Sequence, residues 1–153
     1  MGTRSLIGVM HGDVCKSVYC HWDGYLSHNG VILQEHYDSA KANQLVALGN
    51  LSSLGKNLGE KHAFDTHQLT PAQREQHELD HGDSCTFYAR DRDEEGQGWE
   101  VDFTFANFLS RVNECGADYY YIMKDNVWYV GCPDKGSKLV VLAEALVEEK
   151  ETA

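Results

Sequence analysis

The segment from residue 119 to residue 130 constrains the fold more than any other part of the chain. It predicts two strands joined by a tight turn, because Asp125-Asn126 is a turn dipeptide between two runs rich in aromatic and β-branched residues. Alternation along the first run predicts one face with Tyr119, Tyr121 and Met123 and another with Tyr120 and Ile122. The chain is therefore expected to contain an antiparallel hairpin with aromatic side chains on both faces.

A second hairpin is predicted near the N-terminus. Residues 5–10 are apolar enough for a strand, His11-Gly12-Asp13 suits a tight turn, and residues 14–22 alternate as the returning strand. The predicted core face carries Val18, Cys20 and Trp22, and the opposite face carries Ser17, Tyr19 and His21.

Capping residues predict the helices. The clearest helix starts at Thr70-Pro71, where Thr is an N-cap and Gln73 completes a capping box, and it ends near His81 with Gly82 as the stop. Other predicted helices cover residues 31–37, 39–48 with Ser39 as cap, 103–114 with Asp102 as cap, and 139–150. Residues 50–59 are expected to form an irregular loop, and residues 85–90 a strand.

These elements predict a single α+β domain over residues 1–153. Its antiparallel sheet would have about five strands packed with three or four helices, and a polar His-rich insertion would occupy about residues 60–83. The polar helix within this insertion is expected at the surface.

Charge and cysteine content limit the class of protein. Acidic residues outnumber basic ones by 24 to 13, a formal charge of −11, which argues against binding nucleic acid by neutralising phosphates. The five cysteines include no C-x-x-C pair, so free thiols in a reducing compartment are expected. No apolar run is long enough to span a membrane, and the N-terminus lacks a signal-peptide core. A cytoplasmic location is therefore expected.

Six residues form the candidate binding site: Arg4, Tyr19, His21, Asp23, Tyr25 and His28. They lie at one strand end, in the loop that follows and at the start of the neighbouring strand, and such loops often carry binding groups. His21 with Asp23 two residues later is also the pattern of an oriented general base. An Arg4–Asp23 ion pair is expected to brace the fold. In the alternative interpretation Asp23 only stabilises its own turn.

The run from His77 to His81 is an H-E-x-x-H sequence at the end of a predicted helix. The two His would lie one turn apart on one face, which suits two zinc ligands with Glu78 as general base. However, the helix has no apolar stripe to bury a catalytic metal, and no third ligand stands out downstream. We therefore predict no resident cofactor, with His77 and His81 as the residues that would bind zinc.

Several short runs carry a resemblance. The opening MGTRS, the run YCHWDGY at residues 19–25, His36-Tyr37 and LSSLG at residues 51–55, together with the Tyr-rich hairpin, resemble a family of small bacteriophage proteins without an assigned activity. Relatives often have Pro after the Tyr of HWDGY, where this chain has Leu26, and the His-rich run lies outside the shared pattern. The resemblance implies an accessory protein of the infected cell that binds a host or defence component.

Three functions follow from these observations. The first is a binding protein without catalysis whose partner is a host or defence protein, with a homo-oligomer as one arrangement. The second is a hydrolase that depends on a metal or on His21 and Asp23. The third is a sponge for a small nucleotide ligand, which would require Arg4, Arg90 or Arg92 to converge because the chain is acidic.

Overall fold

The computed structural model describes residues 3–136 and 138–152, which contain eight strands and six α-helices. Met1 and Gly2 of the MGTRS run lie outside the described residues. The strands are β1 (Ser5–His11), β2 (Val14–Cys20), β3 (Leu51–Ser53), β4 (Thr86–Phe87), β5 (Glu100–Asp102), β6 (Tyr119–Lys124), β7 (Val127–Gly131) and β8 (Val140–Val141). The helices are α1 (Val31–His36), α2 (Ser39–Ala47), α3 (Pro71–His81), α4 (Tyr88–Arg92), α5 (Phe105–Cys115) and α6 (Leu142–Thr152).

The sheet is mixed, so the predicted antiparallel sheet of about five strands with three or four helices is wrong. The strand order is β4-β3-β2-β1-β6-β7-β8, and β5 pairs with β2. Strand β1 runs parallel to β6, and β2 runs parallel to β3, while the remaining pairs are antiparallel. Parallel pairs join strands that are distant in sequence, and β4, β5 and β8 have only two or three residues each, which leaves too little alternation to detect.

Both predicted hairpins are present. Strands β1 and β2 pair antiparallel from Ser5↔Cys20 to His11↔Val14. In the second hairpin, Asp125 and Asn126 both have positive φ, as a two-residue hairpin turn requires. Because β2 ends at Cys20, Trp22 leaves the sheet and is 44% exposed, so its predicted place on the core face is wrong.

Alternating strand residues create two separate cores. One face packs Ile7, Val18 and Tyr121 against α1, α2 and α6, as Leu33, Leu45 and Leu142 are buried in the same cluster. The other face packs Leu6, Tyr120 and Ile122 against Phe108 and Val112 of α5. The predicted division of the tyrosine-rich strand between two faces is confirmed. Tyr19, near the C-terminal end of β2, packs against the edge of this second core and stays partly exposed.

Most helix predictions agree with the structure, but two caps differ. Helix α3 starts after Thr70 with the predicted capping box and ends before Gly82. Asp38, not Ser39, caps α2 by accepting the Lys41 N–H at 2.8 Å. Thr104, not Asp102, caps α5, and Asp102 instead accepts two hydrogen bonds from Arg111. Residues 51–53 and 140–141 form strands where a loop and a helix were predicted, and the strand predicted at 85–90 stops at Phe87.

Candidate binding site

The open part of the second sheet face starts at the end of β2. Tyr19 and His21 point away from the core that contains Cys20, because successive strand residues alternate. Asn50 connects β2 to α4: its side-chain oxygen accepts the Tyr19 N–H at 2.8 Å, and its carbonyl accepts the Tyr88 N–H at 3.2 Å. This double link places Tyr88 beside Tyr19.

Four rings line this surface, which we call the aromatic shelf: Tyr19, His21, Phe64 and Tyr88. The Tyr19 hydroxyl and His21 Nδ1 are hydrogen-bonded at 2.7 Å. The Phe64 and Tyr88 rings lie 5.5 Å apart between centroids. Tyr19, His21, Phe64 and Tyr88 are all partly exposed, so part of each ring is accessible to a ligand.

Two arginines lie at the edges of the aromatic shelf. The Arg4 side chain is exposed and near enough to Tyr19 to affect its pKa. Among the described residues, no hydrogen bond or ion pair reaches the Arg4 guanidinium; only the Arg4 backbone forms hydrogen bonds, with Asp118 and Tyr119. At the other edge, the Arg92 guanidinium lies 5.0 Å from the Phe64 ring centroid and 3.4 Å from a Glu94 oxygen. Arg4 is therefore the cation of the shelf that a ligand can engage without breaking an ion pair.

Burial keeps the two phenols of the shelf neutral. It raises the pKa of Tyr19, an effect that the positive charge of Arg4 partly offsets. It also raises the pKa of Tyr88, against a hydrogen bond with Ser52 that acts in the opposite direction. Both hydroxyls are consequently protonated at neutral pH and can donate hydrogen bonds.

The structure divides the six predicted site residues into two groups. Arg4, Tyr19 and His21 meet at the shelf, whereas Asp23 and Tyr25 lie in the turn after β2 and His28 lies in the short π-helix Leu26–Gly30 that follows. Asp23 adopts a positive φ of 57°, and its carbonyl accepts the Asn29 N–H. The Tyr25 and His28 rings contact each other edge to face at 6.0 Å.

Two predicted pairings of Asp23 do not form. Nδ1 of His21 bonds to Tyr19, so the His21–Asp23 dyad of a general base is not assembled. Within the described ranges, no ion pair joins Arg4 and Asp23; the Thr3 carbonyl instead accepts the Gly24 N–H, and the Arg4 side chain extends toward Tyr19 and Gly116. The backbone beside Asp23, and not its charge, braces this corner.

The predicted zinc ligands His77 and His81 lie on one face of α3, with ring centroids 5.0 Å apart. A third ring, that of His62, contacts both of them. Among residues 3–136 and 138–152, no group of three His, Cys, Asp or Glu forms a ready-made metal site. His62 was missed because it lies 15 residues before His77, in a segment without periodicity.

Sequence reasoning also missed Phe64 and Tyr88, and it named Arg92 only as one of the arginines that a nucleotide site would require. Tyr88 lay in a predicted strand, and only the β3–β4 pairing next to β2 brings it to Tyr19. A separate groove of about 440 Å³, lined by Leu26, Tyr119, Cys132 and Lys138, involves none of the shelf residues. Of the three arginines expected to converge, Arg90 is excluded, because its guanidinium bonds to Asp91 and to the carbonyls of residues 58, 59 and 85.

Comparison of the chain with protein-family models, curated proteins and solved structures found no match. None of the described helices combines the length and the apolar character that a membrane span requires.

Proposed function

We propose that the protein binds a small anionic ligand with a planar ring, of the nucleotide class, and holds it without chemical change. The observation that carries this proposal is the Arg4 guanidinium beside Tyr19, which has no hydrogen bond or ion pair among the described residues, together with the Tyr88 ring that also neighbours Tyr19. A planar ring can stack on a partly exposed aromatic side chain, while an arginine fork binds phosphate oxygens in a bidentate geometry.

The local charge favours this ligand despite the acidic chain. A formal charge of −11 repels anions at a distance, but salt screens such repulsion beyond roughly 8 Å at physiological ionic strength. At contact distance, Arg4 acts directly on a ligand phosphate, and the neutral phenols add hydrogen-bond donors. A base stacked on an aromatic side chain contributes about 1–3 kcal/mol. One arginine and two rings therefore provide an affinity that the net charge does not cancel.

Groups that could transform a ligand are engaged or suppressed at the shelf. The His21 nitrogen that Asp23 would orient is bonded to Tyr19. The thiol of Cys20, under the shelf, has its pKa raised to about 12 by burial, so it carries almost no thiolate at neutral pH. These features support retention of the ligand over its conversion, and they agree with the accessory role that the phage resemblance implies.

A protein partner is the second candidate function, and exposed aromatic residues favour it. Trp22 is 44% exposed and Tyr25 is 39% exposed, directly after β2. Such residues are common anchors at protein interfaces. A host or defence protein would dock on this corner, beside the shelf.

The test is titration of untagged protein with mono-, di- and cyclic nucleotides by isothermal calorimetry, followed by heat release and chromatography of the bound ligand. At least one nucleotide should bind stoichiometrically and be recovered intact. Arg4→Gln should weaken its binding by about 10-fold or more, because a hydrogen bond to a charged group is worth about 1.5–3 kcal/mol.

Arg74→Gln is the matched control. Arg74 is an exposed arginine on α3 whose guanidinium bonds to the Leu69 carbonyl, away from the shelf, so its loss should leave nucleotide affinity unchanged. The proposal is wrong if no nucleotide of the panel binds, if both variants weaken binding equally, or if the ligand is recovered in altered form. If no nucleotide binds and Trp22→Ala abolishes binding of a protein partner, the second candidate function is favoured.

A further inference from the structure

Three imidazoles form a cluster between α3 and the segment that precedes it. The ring centroids are 5.0 Å apart for His77–His81, 4.8 Å for His62–His81 and 5.3 Å for His62–His77. The helix sets the first distance, because residues four apart share a face. The fold adds His62, whose side chain is only 2% exposed.

These centroid distances are those of imidazoles that share one metal ion, although the nitrogens do not converge as placed: the His62 and His81 rings are stacked at 16° between planes, and the described residues contain no ready-made metal site. Zinc binds His nitrogens at about 2.0–2.1 Å in tetrahedral geometry, which puts the centroids of neighbouring ligand rings roughly 5 Å apart. All three observed distances are close to that value. Rings that only pack against each other also lie about 4.5–7 Å apart, so the nitrogen atoms, and not the distances, carry the argument.

The nitrogen atoms are also prepared for a metal. His62 Nδ1 lies 2.8 Å from the Glu60 carbonyl, which can only accept, so Nδ1 carries the proton and the Nε2 lone pair accepts from the Thr86 hydroxyl at 3.2 Å. Metal-binding His residues usually have this arrangement, with the second nitrogen bonded to a carbonyl. Nε2 of His77 is buried and has no hydrogen-bond partner among the described residues, a condition that buried nitrogens rarely tolerate.

Helix α3 has no apolar face by which it could pack against the rest of the protein. Among the described residues of α3 none is buried, and Leu79, the apolar residue of the motif, is 76% exposed. His77 and His81 are the partly buried residues of α3, so the helix is attached through its imidazoles. A polar helix of eleven residues is only marginally stable by itself.

We propose that His62, His77 and His81 bind one transition-metal ion of the zinc type and that this ion fastens α3 to the body of the protein. Metal binding requires the rings to rotate until their nitrogens converge. It also requires the hydrogen bond between the Thr86 hydroxyl and His62 Nε2, 3.2 Å long, to break so that this nitrogen can bind the metal. The role is structural: the Glu78 carboxylate lies beside Gly82 at the end of the helix. This site is independent of the aromatic shelf.

Isothermal calorimetry with zinc chloride on untagged, chelator-treated full-length protein tests the proposal. One zinc ion should bind per chain, and hydrogen exchange over residues 60–83 should slow when zinc is added. His77→Gln should weaken zinc binding by about 100-fold or more, as loss of a ligand removes a direct metal bond, and circular dichroism of the zinc-free variant verifies its fold because His77 is partly buried.

His67→Gln is the matched control, because His67 is exposed in the same segment and none of its contacts involves the cluster. It should keep the wild-type zinc affinity. Thr86→Val should bind zinc more tightly than the wild type, since it removes the hydroxyl that occupies His62 Nε2.

Three results would overturn the proposal. The first is the absence of zinc binding. The second is equal weakening of zinc binding by His67→Gln and His77→Gln, which would indicate adventitious binding by a His-rich surface. The third is unchanged zinc affinity in His62→Ala, with the fold of this variant verified by circular dichroism. The third result would leave only the H-E-x-x-H pair as ligands and remove the role of His62.

Discussion

Asp91 offers the sharpest test of how the edge of the sheet is held together. Its carboxylate is fully buried and accepts four hydrogen bonds. Oδ1 accepts from the His62 backbone N–H at 3.1 Å and from Arg90 Nε at 2.9 Å. Oδ2 accepts from the Phe87 N–H at 2.8 Å and from the second Arg90 nitrogen at 3.2 Å. Each oxygen thus serves one backbone donor and one guanidinium donor.

Asp91→Asn replaces one of these oxygens with an NH₂ group of almost the same size. Whichever oxygen is replaced, one buried backbone N–H and one guanidinium N–H then face a donor. Removing one partner from a buried ion pair typically costs about 3–5 kcal/mol, and the remaining oxygen places this change near the lower limit, at about 3 kcal/mol. For a chain of this size that corresponds to a decrease in Tm of about 6–12 °C.

Asp93→Asn is the matched control, two residues further along the chain. Asp93 pairs with Lys61 at 2.7 Å, but both side chains are largely exposed. Its positive φ of 54° is tolerated by Asn, so the substitution introduces no backbone strain. We expect a change within about 0.5 kcal/mol.

The free energy of unfolding of both variants is measured by urea titration, with tryptophan fluorescence as the signal. The measurement is then repeated from pH 8 to pH 3, because the pKa of Asp91 is shifted. Burial raises this pKa, but the hydrogen bonds from Arg90 and from the backbone outweigh burial and lower it. A lowered folded-state pKa gives stability above the unfolded value of about 3.9, and this stability is lost as pH falls through the folded value. The gap between wild type and Asp91→Asn should therefore be constant at neutral pH and narrow below about pH 4. Equal stability of Asp91→Asn and Asp93→Asn at pH 7 would refute the reasoning.

Two further predictions concern buried groups. Tyr37→Phe should lower the free energy of unfolding by about 1–2 kcal/mol in urea titrations, because the Tyr37 hydroxyl donates to the buried Gly55 carbonyl at 2.8 Å and contacts Cys85 Sγ; a change below about 0.5 kcal/mol would contradict this. In a thiol titration at pH 8, Cys115 and Cys132 should react first, and all five thiols should react only in denaturant, since burial raises the pKa of Cys15 and Cys20 to about 12. Rapid reaction of all five thiols in the folded protein would be inconsistent with the structure.

Local patterns in the sequence determined the hairpins and most helix ends. The Asp125-Asn126 turn, the Thr70 capping box and Gly116 after α5 act within four residues, so the sequence shows them directly. The residue alternation of β6 likewise assigned each tyrosine to its correct face. Burial of Cys20 followed from the same alternation along β2.

Only the tertiary structure decided the sheet and both sites. Parallel pairing of β1 with β6 joins residues more than 110 positions apart, and no local pattern encodes the partner of a buried strand. The aromatic shelf exists because β3 and β4 bring Tyr88 to Tyr19, and the imidazole cluster exists because an irregular segment returns His62 to α3. The sequence provided the right side chains at each site, but their proximity depends on long-range packing, which no short window of residues contains.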